Sequence, residues 1–191
     1  VKARGTWAEV QLQNILDQTI ANMYETNVQT NPSYNGRVEF AVKIPNGDTD
    51  EITYLPIDSK FPMEDYARLT AASDEGDIEA LANAKKALET RVKDEAKLIK
   101  QYICPPYTTP FAIMYLATEG LYAEIISSKT GIAESLQAQG IMIAGPSTVT
   151  ALLNSLAMGF KTVAINKKAN EVWKVLGAAK TQYEKFGVVL A

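Results

Sequence analysis

Histidine is missing from this 191-residue chain, and cysteine occurs once, at Cys104. Without histidine, the chain has no Ser-His-Asp or Cys-His nucleophile system, no His-ligated zinc and no imidazole general base. A single cysteine excludes an intramolecular disulfide and a Cys-rich zinc site, and it favours a reducing compartment. The function classes that depend on these groups are therefore excluded.

Long apolar runs and nucleotide-binding motifs are missing as well. No apolar run approaches the roughly 18 to 20 residues of a membrane span, so we expect no membrane contact by this part of the chain. The first residues, VKARGTWAEV, lack a signal-peptide pattern and an initial methionine, which predicts a fragment of a longer chain. The sequence contains no GxGxxG and no P-loop.

Charge and composition limit the kind of protein further. The net charge is -3 and the pI is about 5.1, which argues against coating nucleic acid by bulk electrostatics. Any DNA contact must therefore come from a local basic patch. With 47% hydrophobic and 21% charged residues, the composition is globular, and we expect residues 1–191 to form a single domain around one sizeable core.

Residues 37–60, RVEFAVKIPNGDTDEITYLPIDSK, have the pattern of a β-hairpin. Every second residue from Val38 to Ile44 is apolar, as in a strand with one buried face, and PNGDTDE supplies turn residues. If the chain folds back about Asp48 and Thr49, opposed residues have numbers that add up to 97. The resulting pairs on one face are Phe40 with Ile57, Val42 with Leu55 and Ile44 with Thr53.

The other face of the hairpin carries charged side chains. The same register places Glu39 opposite Asp58 and Arg37 opposite Lys60. Facing carboxylates, roughly 4.5 to 5.5 Å apart at Cβ, require a cation or a shared proton. Lys60 follows Asp58 by two residues and therefore projects on the same side. Carboxylate oxygens without His or Cys suit a hard ion such as Mg²⁺ or Mn²⁺.

A purely structural interpretation of this face is also open. Glu39 could pair with Arg37 or Lys60 on a solvated sheet surface. Lys60 could instead pair with Asp58, in a contact worth roughly 0 to 1 kcal/mol if exposed. Pro56 indicates an edge strand or a bulge, and a bulge would shift the register by one residue.

The rest of the chain alternates helical and strand patterns. Helical periodicity predicts helices over about residues 6–26, 62–69, 77–102, 118–126, 132–139, 146–156 and 167–186. Apolar runs predict strands at 111–117 and 141–144, and turn signals leave room for at most a short strand within 27–35. This order predicts an α/β fold with a mixed sheet covered by helices.

Two helix starts carry groups with more than one interpretation. Thr6 and Glu9 have the spacing of a capping box, which explains Glu9 without any function. Glu9 also lies three residues before Leu12, where the apolar stripe of this helix begins, so its carboxylate could face the hairpin. The start at Gly145-Pro146-Ser147-Thr148 could bind an anion, although capping is the simpler role.

The order of parts resembles the PD-(D/E)xK nuclease core: an acidic residue in a first helix, another on a strand, a D-x-K triplet on the next strand, then a long helix and a further strand. The local sequence is similar to the RmuC family of DNA recombination proteins. This likeness covers nearly the whole chain and is carried by GTWAEVQL (5–12), RVEFAVKIP (37–45), LPIDSKFPMEDYARL (55–69), FAIMYLATEGLYAEI (111–125) and GPSTVTALL (145–153).

The resemblance implies a restriction-endonuclease-like core and a set of site residues. Glu39 and Asp58 would hold a divalent metal, Mg²⁺ or Mn²⁺, with the backbone carbonyl of Ser59 as a third ligand. Lys60 would orient or activate the attacking water and stabilise charge on the phosphorus oxygens, and Glu9 would stand at or near the metal. Glu39 occupies a position where the nuclease pattern most often has Asp, and its longer side chain reaches further.

The resemblance also implies a biological setting. It predicts a bacterial, cytoplasmic protein whose full-length chain has an N-terminal membrane-anchored or coiled-coil region, through which homo-oligomers would form. DNA, branched or structured, is the expected partner. Two functions remain open: a metal-dependent endonuclease-like domain acting in recombination or rearrangement, and a noncatalytic DNA-binding or scaffolding module. Glu119 lies within the segment 111–125 that is similar to the family, and helix capping is its expected role.

Overall fold

A computed structural model of the chain describes residues 2–46 and 49–190, with side chains for residues 7–46, 49–164 and 166–178. The helices are α1 (Lys2–Ile20), α2 (Met63–Glu75), α3 (Ile78–Lys100), α4 (Glu119–Ile126), α5 (Ile132–Ala138) and α6 (Pro146–Leu190). The strands are β1 (Tyr24–Val28), β2 (Val38–Pro45), β3 (Ile52–Lys60), β4 (Ala112–Leu116) and β5 (Ile141–Ala144).

The five strands form one mixed sheet in the order β1-β2-β3-β4-β5. The first three strands are antiparallel to each other, and β4 and β5 continue the sheet in parallel with β3. The hairpin register is the predicted one, with Phe40 opposite Ile57, Val42 opposite Leu55 and Ile44 opposite Thr53. Pro56 pairs with Ala41 within this register, so no bulge shifts it. Asp48, one of the two residues expected at the turn, lies outside the described residues.

Helices cover both faces of the sheet and enclose two apolar cores. One core packs α1 and the first part of α6 against alternate sheet residues, among them Phe40, Leu55 and Tyr115. The other core packs α2, α3, α4 and α5 against the opposite face, which includes Met114 and Leu116. The α/β class and the mixed sheet covered by helices are therefore confirmed.

The start and the end of α1 differ from the prediction. The predicted apolar stripe is confirmed by the burial of Leu12, Leu16 and Ile20, but the helix ends at Ile20 rather than near residue 26. The following residues form β1, because Tyr24 and Thr26 pair with β2. A longer helix would lose the backbone hydrogen bonds of this pairing. The first strand therefore begins at Tyr24, earlier than the expected 27–35 segment.

The junction between α2 and α3 is a tight turn formed by Gly76 and Asp77. Helix α2 continues past the predicted end at residue 69 to Glu75, where Gly76 adopts a left-handed φ of 66°. Asp77 then caps α3 by accepting a hydrogen bond from the Ala80 N–H at 3.0 Å. This tight connection sets α2 and α3 side by side, which brings Asp65 of α2 within 3.4 Å of Arg91 of α3.

Helix α6 is one element where two were predicted. It runs through residues 157–166 without proline, and Gly159 lies in it without ending it. Its first part is packed against α1, whereas from residue 166 to residue 178 the described side chains are exposed. The large apolar side chains that α6 exposes are Met158, Val172, Trp173, Val175 and Leu176.

The same helix bears on the expectation of no membrane contact, which stays a prediction. Within the described residues, Pro146–Ala178 is one helical stretch long and apolar enough to do so, with a mean hydropathy of 1.3. Lys161 and Lys167 interrupt its apolar residues, which is why no uninterrupted run exists in the sequence. Core helices of soluble proteins have the same length and composition, so this feature alone does not place the helix in a membrane.

Glu119 caps a helix other than its own. Thr118 is the N-cap of α4 and accepts from the Leu121 N–H, whereas the Glu119 carboxylate accepts from the Ser147 N–H at 2.6 Å. Ser147 lies in the first turn of α6, whose unpaired N–H groups favour a negative charge. The capping role expected for Glu119 is confirmed, and the anion at the Gly145–Thr148 helix start is this side chain.

Replacing Glu119 by alanine should therefore destabilise the fold. We expect a loss of roughly 1 kcal/mol in the free energy of unfolding, as for other removed helix caps. Urea unfolding followed by circular dichroism measures it, with Glu171→Gln, an exposed change within α6, as a control expected to shift stability by less than about 0.5 kcal/mol. Equal effects of the two changes would contradict the capping role.

Candidate functional site

The candidate site lies where β3 ends and β2 begins. The paired residues Phe40 and Ile57 bring the next positions, Glu39 and Asp58, to the same end of the hairpin. Strand β3 is held on its other side by β4, with Asp58 beside Met114 and Lys60 beside Leu116. Because β4 pairs with β3 as far as Lys60, the side chains at this end are positioned by the sheet rather than by a loop.

Asp58 and Lys60 form an ion pair at this end. Asp58 Oδ2 lies 3.1 Å from Lys60 Nζ, and the two side chains are 5% and 28% exposed. The solvated sheet face considered above is therefore wrong, since Asp58 is buried. The ion pair between Asp58 and Lys60 that was considered as a structural alternative is present, but both side chains are largely shielded from water. Removing one partner would therefore leave a buried charge without compensation.

Glu39 is held by the residue between these two. Its Oε2 accepts hydrogen bonds from the Ser59 N–H at 2.9 Å and from the Ser59 hydroxyl at 2.7 Å. Burial and the nearby Asp58 carboxylate raise the pKa of Glu39 to about 8, against the smaller lowering effect of Ser59. At neutral pH the folded protein therefore keeps a proton, or requires a cation, at this carboxyl.

The other two ionisable groups respond to the same environment. Burial raises the pKa of Asp58, although the Lys60 ammonium and a hydrogen bond with Glu39 oppose the rise. Burial alone would lower the pKa of Lys60, but the carboxylates of Asp58, Glu39 and Glu95 together outweigh it and raise the pKa. Lys60 is therefore a charged ammonium at neutral pH.

Glu9 reaches the site from α1. Helix α1 begins at Lys2, so Thr6 lies within the helix and the capping-box interpretation of Glu9 is wrong. Glu9 is exposed and lines the same pocket as Glu39 and Lys60, and its charge contributes to the raised pKa of Glu39 and of Asp58.

Arg37 does not belong to the site. It precedes β2, is exposed, and donates a hydrogen bond from Nη1 to the Asn27 carbonyl at 3.0 Å. It lines a different cleft, next to β1. The expectation that Arg37 faces Lys60 is therefore not met, because the hairpin ladder ends before Arg37.

Four charged side chains from α2 and α3 line the pocket and were not assigned to it from the sequence: Glu64, Asp65, Arg91 and Glu95. Burial raises the pKa of Glu95 to about 7, although Lys60 and Arg91 counteract part of this rise. Glu95 Oε2 is buried and has no hydrogen-bond partner among the described residues. The sequence signal for Glu95 is its position: it interrupts the stripe of apolar residues along α3, between the buried Val92 and Ile99.

The pocket has a volume of about 450 Å³, and its acidic side chains outnumber its basic ones. Lys60 and Arg91 are its cations. Its carboxylates are Glu9, Glu39, Glu64, Asp65 and Glu95, with Asp58 beneath Lys60. An oxygen-rich site with this charge imbalance suits a hard cation.

The fit of a divalent metal can be tested on these contacts. Within the described residues, no three acidic or cysteine side chains are already gathered as a metal-binding group. Two carboxyls, Glu39 and Asp58, are adjacent, and the unpartnered Oε2 of Glu95 lies in the same pocket. The oxygen donor set therefore fits Mg²⁺ or Mn²⁺ in chemistry, with Lys60 as a competitor for Asp58.

Comparison with known proteins decides the family. The sequence profile of the RmuC family matches residues 1–191. The chain belongs to the RmuC family. A protein of Xylella fastidiosa named DNA recombination protein RmuC homolog is 49% identical over 194 residues, which cover all of this chain and 42% of that protein. The family resemblance inferred from the sequence is confirmed.

More distant RmuC relatives match over most of the chain. RmuC homologs of Chlamydia pneumoniae and Zymomonas mobilis are each 26% identical, covering 89% and 98% of this chain but 39% and 41% of their own length. The chain therefore spans about two-fifths of the curated relatives it matches. No solved structure matches the chain.

Proposed function

We propose that this RmuC domain is a metal-dependent, endonuclease-like domain that acts on DNA in recombination or rearrangement. The observation that carries the proposal is the convergence of Glu39, Asp58 and Lys60 at one end of a central hairpin in a mixed sheet. The order of acidic residue, D-x-K triplet and following long helix resembles the pattern of the PD-(D/E)xK nuclease core and supports the proposal. We assign residues 1–191 to a single domain with this core.

The proposed roles follow from the position of each group. Glu39 and Asp58, with the Ser59 carbonyl, would hold Mg²⁺ or Mn²⁺, and Glu9 would stand beside them. A bound divalent ion acts as a Lewis acid on the phosphodiester and lowers the pKa of a bound water. Lys60 remains charged in the pocket and would orient the attacking water and stabilise the negative charge that develops on the phosphorus oxygens.

A local basic surface adjoins the acidic pocket and supports DNA as the partner. Asp65 and Arg91 line both the acidic pocket and a neighbouring cleft of about 500 Å³ that also contains Lys86. Lys86 in turn borders a cleft of about 760 Å³ together with Lys85, Lys93 and Lys129. Glu89 and Glu124 line the same cleft but are outnumbered by these four lysines, which would supply the local positive patch that a chain of net charge -3 needs in order to contact phosphates.

The second candidate is a noncatalytic DNA-binding or scaffolding module of the same fold. One observation favours it: Lys60 is bound to Asp58 at 3.1 Å, which leaves the proposed catalytic ammonium engaged. In this case the acidic pocket would be structural, and Lys85, Lys86, Lys93 and Lys129 would bind DNA alone. Substitution of Glu39 or Asp58 would then leave DNA affinity unchanged or increase it.

We further propose that the domain works in the bacterial cytoplasm on branched or structured DNA. In the full-length protein, homo-oligomers would form through the N-terminal coiled-coil region that the family resemblance implies. We also propose that this part of the chain makes no membrane contact; one stretch of α6 has the length and the mean hydropathy of a membrane span.

A cleavage assay tests the proposed function. The chain is incubated with linear, nicked, forked and four-way-junction DNA in Mg²⁺, in Mn²⁺ and with a chelator, beside Asp58→Asn as the inactivated control. We expect metal-dependent strand breaks that the chelator and the substitution abolish. DNA binding without cleavage in either metal, unchanged by Asp58→Asn, would favour the scaffolding module.

A further inference from the structure

We propose that Glu95 is a positioning residue that takes over the Lys60 ammonium when Asp58 binds the divalent cation. This inference rests on the proposed metal site. Lys60 and the cation would compete for the same carboxylate, that of Asp58. In the structure Lys60 is paired with Asp58 at 3.1 Å, so binding of an ion to Asp58 requires Lys60 to find another partner.

Electrostatics disfavours the present position of Lys60 once an ion is bound. A divalent cation on Asp58 would place two further positive charges next to the ammonium, in a setting where Asp58 is buried and screening by water is weak. Lys60 cannot simply turn into solvent without losing the compensation of its charge in a partly buried pocket. A second carboxylate within the pocket would resolve this conflict.

Glu95 meets the requirements for that second partner. It lines the same pocket as Lys60, from the α3 wall, and its charge already stabilises the Lys60 ammonium. Its Oε2 is buried and without a hydrogen-bond partner among the described residues, although buried carboxyl oxygens in native proteins are as a rule satisfied. A flexible lysine side chain has three donors and can move between two acceptors.

Other groups in the pocket do not match this description. Arg91 is paired with Asp65 at 3.4 Å, so the Asp65 carboxylate is already engaged. Glu39 Oε2 is bound by Ser59, and Glu64 is exposed. Glu95 therefore has an open acceptor next to Lys60, and the movement keeps Lys60 charged and inside the site while the cation occupies Asp58.

The first test locates Lys60 without any metal. A crystal structure of Asp58→Asn removes the charge that holds Lys60 while keeping the size of the side chain. We expect Lys60 Nζ to lie within hydrogen-bond distance of Glu95 in this variant. An ammonium that stays on the amide oxygen introduced at position 58, or that points into solvent, would overturn the proposal.

The second test measures Mn²⁺ affinity, with free Mn²⁺ read by electron paramagnetic resonance. Glu95→Gln should weaken Mn²⁺ binding about tenfold, the size of a typical coupling between linked groups. Glu64→Gln makes the same substitution at an exposed position of the same pocket and serves as the matched control, with an expected change below about twofold. In the Lys60→Met background, Glu95→Gln and Glu64→Gln should have similar small effects, because no ammonium has to be transferred.

The outcomes separate this inference from the proposed function. An equal loss of affinity for Glu95→Gln with and without Lys60 would show that Glu95 acts on the ion directly, which would refute the positioning role. Unaltered Mn²⁺ binding in Glu95→Gln would refute the positioning role alone. If the unmodified chain binds no Mn²⁺, the proposed metal site fails, and this inference fails with it. Circular dichroism confirms that each variant is folded.

Discussion

Lys60→Met should reduce metal-dependent DNA cleavage by at least about 100-fold, the usual effect of removing one electrostatic stabiliser of the transition state. The reason is the position of the ammonium, which is charged, partly buried and next to the proposed metal-binding carboxylates. Mn²⁺ binding should survive the substitution and become tighter, since a competing cation is removed from Asp58. Cleavage rates and Mn²⁺ affinity are measured on the same preparation.

The matched control for this experiment is Lys97→Met. Lys97 lies on α3 and has an exposed side chain whose nearest acidic partner is Asp94, at 4.0 Å. Its substitution should leave the cleavage rate within about twofold, because exposed pairs of this kind contribute little. Cleavage that persists in Lys60→Met would contradict the role assigned to Lys60, even if the metal site itself is real.

Glu39→Gln should change how stability depends on pH. The pKa of Glu39 in the folded protein is about 8, above the ordinary value of 4.5, so the folded state holds its proton more tightly than the unfolded state. This contribution is fully present below pH 4.5 and is lost as the pH rises through about 8. The free energy of unfolding should thus fall over this range by on the order of 5 kcal/mol from Glu39.

The substitution should remove the Glu39 part of this slope and leave a smaller one, because the pKa values of Asp58 and Glu95 are raised as well. Urea unfolding at several pH values in the presence of a chelator measures the slope, with Glu171→Gln as the exposed control. A variant with the same slope as the unmodified chain would show that Glu39 is not the buried acid described here. Saturating Mn²⁺ should flatten the slope of the unmodified chain, because the ion replaces the proton.

The hairpin shows what local pattern determines. Alternation from Val38 to Ile44 and the turn that follows favour the register that pairs apolar side chains, since a shift by one residue would move them to the other face of the sheet. The convergence of Glu39, Asp58 and Lys60 then follows from the two-residue period of a strand. This part of the candidate site was predictable from the sequence for a physical reason.

Glu9 and α6 show where local signals were overruled. A Thr-x-x-Glu spacing predicts a helix start at Thr6, but the same residues are compatible with helix interior, and α1 begins at Lys2. Residues 157–166 have no strong helical stripe, yet α6 continues through them, since nothing in them breaks a helix. Capping motifs and periodicity are weak signals when neighbouring residues also favour a helix.

The far wall of the pocket could not be predicted from the sequence. Asp65, Arg91 and Glu95 approach Lys60 only because α2 and α3 are joined by a tight turn and packed side by side on the sheet. Sequence spacing relates residues within one helix, whereas these contacts depend on how two helices are oriented. One sequence feature pointed to this wall: Glu95 interrupts the stripe of apolar residues along α3.

The central claim is that the acidic pocket binds a divalent cation through Asp58, and a Mn²⁺ titration of the chain and of Asp58→Asn tests it most directly. Free Mn²⁺ is read by electron paramagnetic resonance, with and without branched DNA, and Asp94→Asn on the exposed face of α3 is the control. We expect one site that Asp58→Asn weakens by at least about tenfold and that Asp94→Asn leaves unchanged. Absence of binding in the unmodified chain, even with DNA present, would contradict the claim and leave the domain as a noncatalytic member of its family.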